Sequence, residues 1–230
     1  MWDGKNKAVT FSFDDGMTQD IRLVEIFNKY NLKATFNLNS ANLGLKGERI
    51  ADGKKVTRNK VDACDVKSLY AGHEVAAHSL THPSLTELDD ATVIYQVETD
   101  RRILSELCGY EVIGMAYPYG TRDERVIKIL KENTGIKYAR TVDLADGFGL
   151  QTELLNFNPT VKFTDEKKLF ETAEAFLNAP GTDKKLLYVW GHSYELDDGL
   201  ISWEKFEEFC RYISGREEVF YGTNKEVFGL

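Results

Sequence analysis

The residues able to do chemistry fall in four short clusters. These are Asp14-Asp15-Gly16, His78-Ser-Leu-Thr-His82, Pro118-Tyr119-Gly120 and Gly191-His192. His78 and His82 lie four apart, a separation at which two imidazoles on one turn can grip a single metal ion. The adjacent carboxylates of Asp14 and Asp15 repel each other unless a cation or a hydrogen-bond network compensates them, and a divalent ion supplies that compensation. An isolated Asp-Asp-Gly reads as a turn, and an isolated His is more often structural. Two carboxylates, a His pair and a further His together point to metal-assisted chemistry. His73 and Glu74, just before the pair, read as structural.

These clusters need elements to hold them. Ala8–Phe13 has the composition of a short strand, and Leu23, Ile26, Phe27 and Tyr30 repeat at helical spacing. Further strands are predicted over Lys33–Asn39, His73–Ser79, Val112–Tyr117, Tyr138–Val142, within Asn156–Phe163, and over Leu186–Trp190 and Val219–Tyr221. A short helix is predicted near Asp65–Ala71. A longer one, which Thr86 can cap, carries Val93, Val97, Leu104, Leu107 and Cys108 on one face and ends at Gly109. Asp123–Asn133, the stretch around Leu169–Leu177 and the one around Trp203–Ile213 also read as helices. Residues 40–62 show no period and read as a long surface loop, a length that is often functional. Strand and helix alternate, which implies a mainly parallel sheet covered by helices. The chemical clusters each follow a predicted strand, and active sites of such folds lie at the carboxyl ends of their strands. About seven strands in 230 residues fit one closed or nearly closed barrel, a single domain over residues 1–230.

Composition narrows the function. With 37 acidic and 29 basic residues the net charge is −8, which argues against nucleic-acid binding. No apolar run exceeds the five residues Leu186–Trp190, so membrane insertion is not expected. Cys64, Cys108 and Cys210 are odd in number and form no CxxC, which disfavours a disulfide framework or a cysteine zinc site. No GxGxxG or P-loop pattern marks a nucleotide site. The opening Met1-Trp2-Asp3-Gly4-Lys5 does not read as a signal peptide, and a cytoplasmic location is the expectation.

Ser12-Phe-Asp-Asp-Gly16, His78-Ser-Leu-Thr-His82, Tyr117-Pro-Tyr-Gly120 and Trp190-Gly-His192, in this order, resemble the polysaccharide deacetylases, the NodB-homology group or carbohydrate esterase family four. The resemblance runs from about Ala8 to Val227 and implies a distorted β/α barrel. It also implies roles. Asp14 would be the catalytic base, and Asp15, His78 and His82 the ligands of a divalent ion, Zn²⁺ foremost, with Co²⁺, Fe²⁺, Ni²⁺ or Mn²⁺ as alternatives. The backbone N–H of Tyr119 would help form the oxyanion hole, and His192 would be the general acid. The activity implied is removal of N-acetyl groups from amino-sugar oligo- or polysaccharides by water activated at the ion. An O-acetyl esterase or small-amide deacylase would use the same site, and a non-catalytic carbohydrate-binding module is a remote alternative. The partner expected is an acetylated carbohydrate.

Two positions depart from the family pattern. Ala116 stands where members often carry an Arg that pairs with the catalytic Asp. Arg140, near the end of its own predicted strand, is the expected substitute, with Arg122 second. The family's Asp-Trp motif, whose Asp tunes the acidic His, is absent, leaving Asp143, Asp146 and Glu195 as candidates. Tyr117, Phe148, Trp190 and Tyr194 are candidate sugar-stacking side chains.

Overall fold

A computed structural model describes residues 1–51 and 53–230. The chain runs through β1 (Lys7–Asp14), α1 (Asp20–Lys29), β2 (Ala34–Leu38), β3 (Glu48–Ala51), β4 (Lys54–Thr57), α2 (Val66–Leu69), β5 (Glu74–Ala77) and α3 (Asp90–Cys108). It continues through β6 (Gly114–Ala116), α4 (Glu124–Asn133), β7 (Tyr138–Arg140), β8 (Val161–Lys162), α5 (Glu166–Asn178), β9 (Lys185–Gly191), α6 (Trp203–Ile213), β10 (Val219–Tyr221) and α7 (Asn224–Phe228).

The main sheet is parallel, in the order β7-β6-β5-β2-β1-β9-β8. β10 pairs with the first half of β1 (Lys7–Val9), and β2 pairs with the second half (Phe11–Asp14). The sheet curls until its ends meet. Phe157 exchanges backbone bonds with β7 (Phe157 N–H to Ala139 O, 3.0 Å; Thr141 N–H to Phe157 O, 2.9 Å), and a few residues later Val161 pairs with Val189 of β9. This is the distorted β/α barrel expected from the sequence.

Side-chain alternation along the strands sorts the two faces. In β1, Val9, Phe11 and Phe13 face outward into the main core. There Phe11 packs on Phe27 of α1 at 4.8 Å between ring centroids, and Phe13 packs edge-on to Phe206 of α6 at 6.0 Å. Fully burying each such ring stabilises the fold by roughly 1.5–3 kcal/mol. Thr10, Ser12 and Asp14 have the opposite parity and join the polar interior. Thr10 Oγ1 donates to Asn224 Oδ1 of α7 (3.0 Å), and Ser12 Oγ accepts from Asn37 Nδ2 of β2 (2.8 Å). The same parity in β7 and β9 turns Arg140 and Trp190 toward the barrel mouth, where Asp14 lies.

The structure corrects several local expectations. The stretch 40–62 is not featureless: β3 and β4 form an antiparallel hairpin within it. Asp52-Gly53, a dipeptide favoured in tight hairpins, was the signal for it, although Asp52 itself lies outside the described residues. Asp89, not Thr86, caps α3, its carboxylate accepting from Thr92 N–H at 2.8 Å. α7, which follows β10, was not expected. Gly109 does end α3, with the left-handed φ of 79° that glycine adopts without strain. Among the described residues, no helix is long and apolar enough to cross a membrane.

Candidate active site

Asp14, Asp15, His78, His82, Tyr119 and His192 line one cavity of about 600 Å³ at the carboxyl ends of the strands. The sequence-predicted site residues are therefore all brought together. One ligand atom from each of Asp15, His78 and His82 falls within 4.8 Å of the others. The two Nε2 atoms of the His pair stand 3.1 Å apart, and His82 Nε2 lies 3.8 Å from Asp15 Oδ1.

This donor set fits a divalent cation. His78 Nδ1 donates to Ala116 O at 2.7 Å in the tautomer that leaves a lone pair on Nε2. Burial is the largest influence on His78 and brings its pKa down to about 4, so the ring is neutral as a ligand must be. Burial lowers His82 in the same way. Burial opposes the charge on Asp15, but attraction to His78, in the protonated form the ring takes at low pH, and to the Lys60 ammonium outweighs it and lowers the carboxyl below its ordinary value. Two imidazoles and one carboxylate leave coordination positions for water and substrate.

The backbone around these groups is unusual. Asp15 (φ 80°), Ser79 (63°), His82 (65°) and Tyr119 (58°) all take the left-handed conformation without being glycine. Such residues cost energy and cluster at functional turns. Gly16 sits where glycine is favoured: its φ is 59°, and a Cβ there would meet Leu38 Cδ2 at 2.7 Å, so the Leu38 side chain would have to shift. Asp100 of α3 supports the turn from behind, accepting from the backbone N–H groups of Ser40 (2.7 Å) and His78 (3.0 Å).

Asp14 sits in a different environment from its neighbour. Arg140 Nη2 donates to both its oxygens, at 2.6 Å to Oδ1, and Asn37 Nδ2 donates to Oδ1 at 2.8 Å. Burial works against the charge, but Arg140, with His78 and His192, overrides it and holds the carboxyl down at about 2. Arg140 also stacks on Trp190, 4.6 Å from the ring centroid. The Arg expected from its strand-end position is thus the one in contact, while Arg122 turns away to Asp143 (2.7 Å) and Asn156 (2.8 Å).

On the other side of Asp14 lies His192, with Nε2 3.9 Å from Asp14 Oδ2. Its Nδ1 is 3.3 Å from Glu195 Oε2, which also accepts the His192 backbone N–H at 2.9 Å. Lys162 anchors the second Glu195 oxygen at 2.6 Å. Burial would lower the His192 pKa, but Glu195 and then Asp14 raise it. Of the three carboxylates considered for this place, Glu195 occupies it, whereas Asp143 and Asp146 are exposed.

Residues 3–139 match the family profile described as polysaccharide deacetylase. The chain belongs to the polysaccharide deacetylase family. The match spans more than half the chain and includes Asp14, Asp15, His78, His82 and Tyr119, stopping short of Arg140 and His192. A peptidoglycan-N-acetylglucosamine deacetylase of Bacillus cereus is 27% identical over 156 residues, covering 66% of this chain and 51% of that protein. The chain thus spans about half the length of this relative, and 23% of that of a Listeria monocytogenes peptidoglycan-N-acetylglucosamine deacetylase. Among solved structures, a Mycobacterium smegmatis chain assigned to the polysaccharide deacetylases aligns with a TM-score of 0.69 at 18% identity, over 98% of this chain and 90% of that one. A family 4 carbohydrate esterase pseudoenzyme from Bacillus anthracis aligns with a TM-score of 0.56 at 17% identity, over 96% and 65%. At these identities the likeness is one of fold. Because one such fold belongs to a pseudoenzyme, activity has to be argued from side chains.

Within the polysaccharide deacetylase frame, the sequence reading missed Asn37, Lys60 and Asp100. None carries a motif. Asn37 lies inside an apolar strand, Lys60 follows the unrecognised hairpin, and Asp100 is one acid on a charged helix. Tyr117, Trp190 and Tyr194 line the cavity, but Phe148 packs on Phe176 instead, at 5.4 Å. His73 and Glu74 are structural. His73 Nδ1 accepts Ala34 N–H (3.2 Å), and Glu74 is buried with bonds from Thr35 and Tyr138 (both 2.9 Å).

Proposed function

We propose that this chain is a divalent-metal-dependent deacetylase of N-acetylated amino-sugar glycans. The observation carrying this reading is the pairing of two differently prepared carboxylates. Asp15 converges with His78 and His82 as a donor set, and Asp14, one residue earlier, is clamped by Arg140 next to it. Asp15, His78 and His82 would hold the ion, and their mixed nitrogen and oxygen donors suit zinc. When bound, it supplies a Lewis acid for the acyl carbonyl and lowers the pKa of water in its open positions.

The chain's own groups supply the remaining chemistry. Asp14 accepts a proton from the attacking water. Held near 2, it is a weak base, adequate only for water that is already acidified, which ties its role to the ion. Arg140 holds both Asp14 oxygens, Asn37 adds a second donor on Oδ1, and Oδ2 is the oxygen nearer His192. The Tyr119 N–H stabilises the tetrahedral oxyanion, an interaction worth roughly 3–4 kcal/mol in other acyl-transfer sites. The C–N bond then breaks, and His192 gives its proton to the departing nitrogen. Acetate and a free amine result. An amine leaves poorly without a proton, and the raised pKa of His192 favours amide over ester cleavage.

The reading is tested by acetate release from chitooligosaccharides, acetylxylan and small N-acetyl sugars. Each would be assayed with added Zn²⁺ and after chelation. Release from the N-acetyl substrates that chelation removes and zinc restores is expected. Release from acetylxylan alone would assign the site to ester hydrolysis, and no release from any substrate would leave a binding module.

A further inference from the structure

The turn that carries Tyr119 takes a shape its own sequence disfavours. Tyr119 and Gly120 have φ of 58° and 73° in succession, and Thr121 N–H donates to Pro118 O at 3.2 Å, so both central residues of the turn are left-handed. Such turns favour Gly, Asn and Asp. A tyrosine in that conformation persists only where its surroundings fix it. One fixed point is Val142, whose Cγ2 would lie 2.3 Å from a Cβ added to Gly120. The other is a guanidinium. Arg122 Nη1 donates to Gly120 O at 3.3 Å and meets Asp143 Oδ2 at 2.7 Å, while Nε donates to Asn156 Oδ1 at 2.8 Å. Asn156 ends the short turn Leu154–Asn156, which the Tyr117 hydroxyl also ties down by donating to Leu155 O at 2.7 Å. Ser84 reaches only the Thr121 hydroxyl (3.1 Å), whereas Arg122 takes a carbonyl of the left-handed pair itself.

The turn's N–H groups differ in what they are free to do. Gly120 N–H donates to Tyr117 O (2.9 Å) and Thr121 N–H to Pro118 O, but Tyr119 N–H donates to none of the described residues, and Tyr119 lines the cavity. A donor stabilises an oxyanion well only when its direction is set beforehand. A planar fork bonded to three acceptors sets a direction that a single contact does not. We propose that Arg122 is a positioning residue for the reaction: through the Gly120 carbonyl it holds the Pro118–Thr121 turn in the geometry that offers the Tyr119 N–H to the oxyanion. The proposal rests on the deacetylase reading above and identifies what keeps its oxyanion donor in place. The two arginines then divide the rim, with Arg140 on the base and Arg122 on the oxyanion turn.

Two readouts test it. The first is kcat and KM for chitotriose, with kcat counted per bound zinc so that unfolded chains do not enter. An oxyanion donor acts in the transition state, so Arg122→Ala should lower kcat by about 10–100-fold, the scale of a small misplacement, and move KM by less than about threefold. Arg122→Lys, which keeps the charge but not the fork, should recover part of the loss. The second readout is amide hydrogen exchange in the metal-free protein. Gly120 and Thr121 N–H should exchange about tenfold or more faster in Arg122→Ala, while the amides of β1 and β9 stay as protected as in the wild type. Asn156→Ala removes the anchor and leaves the guanidinium, so it should show both effects to a smaller extent and tests the clamp even if Arg122→Ala does not fold. A kcat per zinc that stays at the wild-type value, or a rise in KM that accounts for the whole loss, would overturn the proposal. So would unchanged exchange at Gly120 and Thr121. If the wild type releases no acetate, the deacetylase reading fails, and faster exchange confined to the turn still supports Arg122 as its clamp, whereas unchanged exchange contradicts that too.

Discussion

Asp14 and Asp15 differ in what surrounds them, and strand parity is the cause. Asp14 continues the inward face of β1 and meets Arg140, whereas Asp15 turns off the strand at a left-handed φ and meets the His pair. Arg140→Gln leaves a buried carboxylate without its cation, a loss that typically costs about 3–5 kcal/mol. Denaturant unfolding in chelator should show that loss at neutral pH. Asp14 is depressed from 3.8 to about 2, so the stability of its pair is present above 3.8 and is lost as pH falls toward 2. Arg140→Gln should accordingly flatten the acid side of the stability curve. His192 has the opposite sign. Its pKa is raised above 6.5, so its charged form stabilises the fold below that pH and ceases to do so as pH rises through the folded value. Glu195→Gln removes the strongest influence raising it. The alkaline limb of the activity profile should move to lower pH, and an unmoved limb would show that Glu195 does not tune this group. Arg140 was legible in the sequence because a strand end has a direction. Glu195 was not separable from Asp143 and Asp146, because loop paths are not written in residue spacing.

At the scale of elements, the strands set the site and the helices hold its turns. Asp100 reaches from α3 to the His78 N–H, and partners behind metal ligands typically change affinity by about 10–100-fold. Asp100→Ala should weaken zinc binding by calorimetry within that range while leaving the ligands themselves intact. An unchanged affinity would reduce Asp100 to a packing role. The capping assignment can be tested in the same helix. Asp89→Ala should cost about 1 kcal/mol in chemical unfolding, while Thr86→Ala should cost much less. Strand and helix alternation was readable because apolar periods of two and of three to four are distinct, as in Phe11–Phe13 against Leu23–Ile26–Phe27. The hairpin was hidden by its charge. Glu48, Arg49 and Lys55 leave Ile50 and Val56 as isolated apolar positions, too few to show a period of two, so only the Asp-Gly dipeptide marked it.

Over the whole molecule, the curled sheet brings together residues as distant in sequence as Asp14 and His192. Its closure through Phe157 rests on two backbone bonds that no motif announces, whereas the barrel class followed from element order. A ligand that binds only the folded barrel stabilises it, by about 2.7 kcal/mol at a concentration 100 times its dissociation constant. Zinc should therefore raise the melting temperature of the wild type, and His78→Ala should lose that response. The central claim is that the neighbouring aspartates divide the work, and bound zinc measured alongside acetate release in Asp14→Asn and Asp15→Asn tests it most directly. The account predicts that Asp14→Asn keeps about one zinc per chain and loses acetate release by at least the roughly 10²–10⁴-fold of a general base. It predicts that Asp15→Asn loses the zinc itself. Equal zinc loss in both variants, or near-normal acetate release from Asp14→Asn, would contradict it.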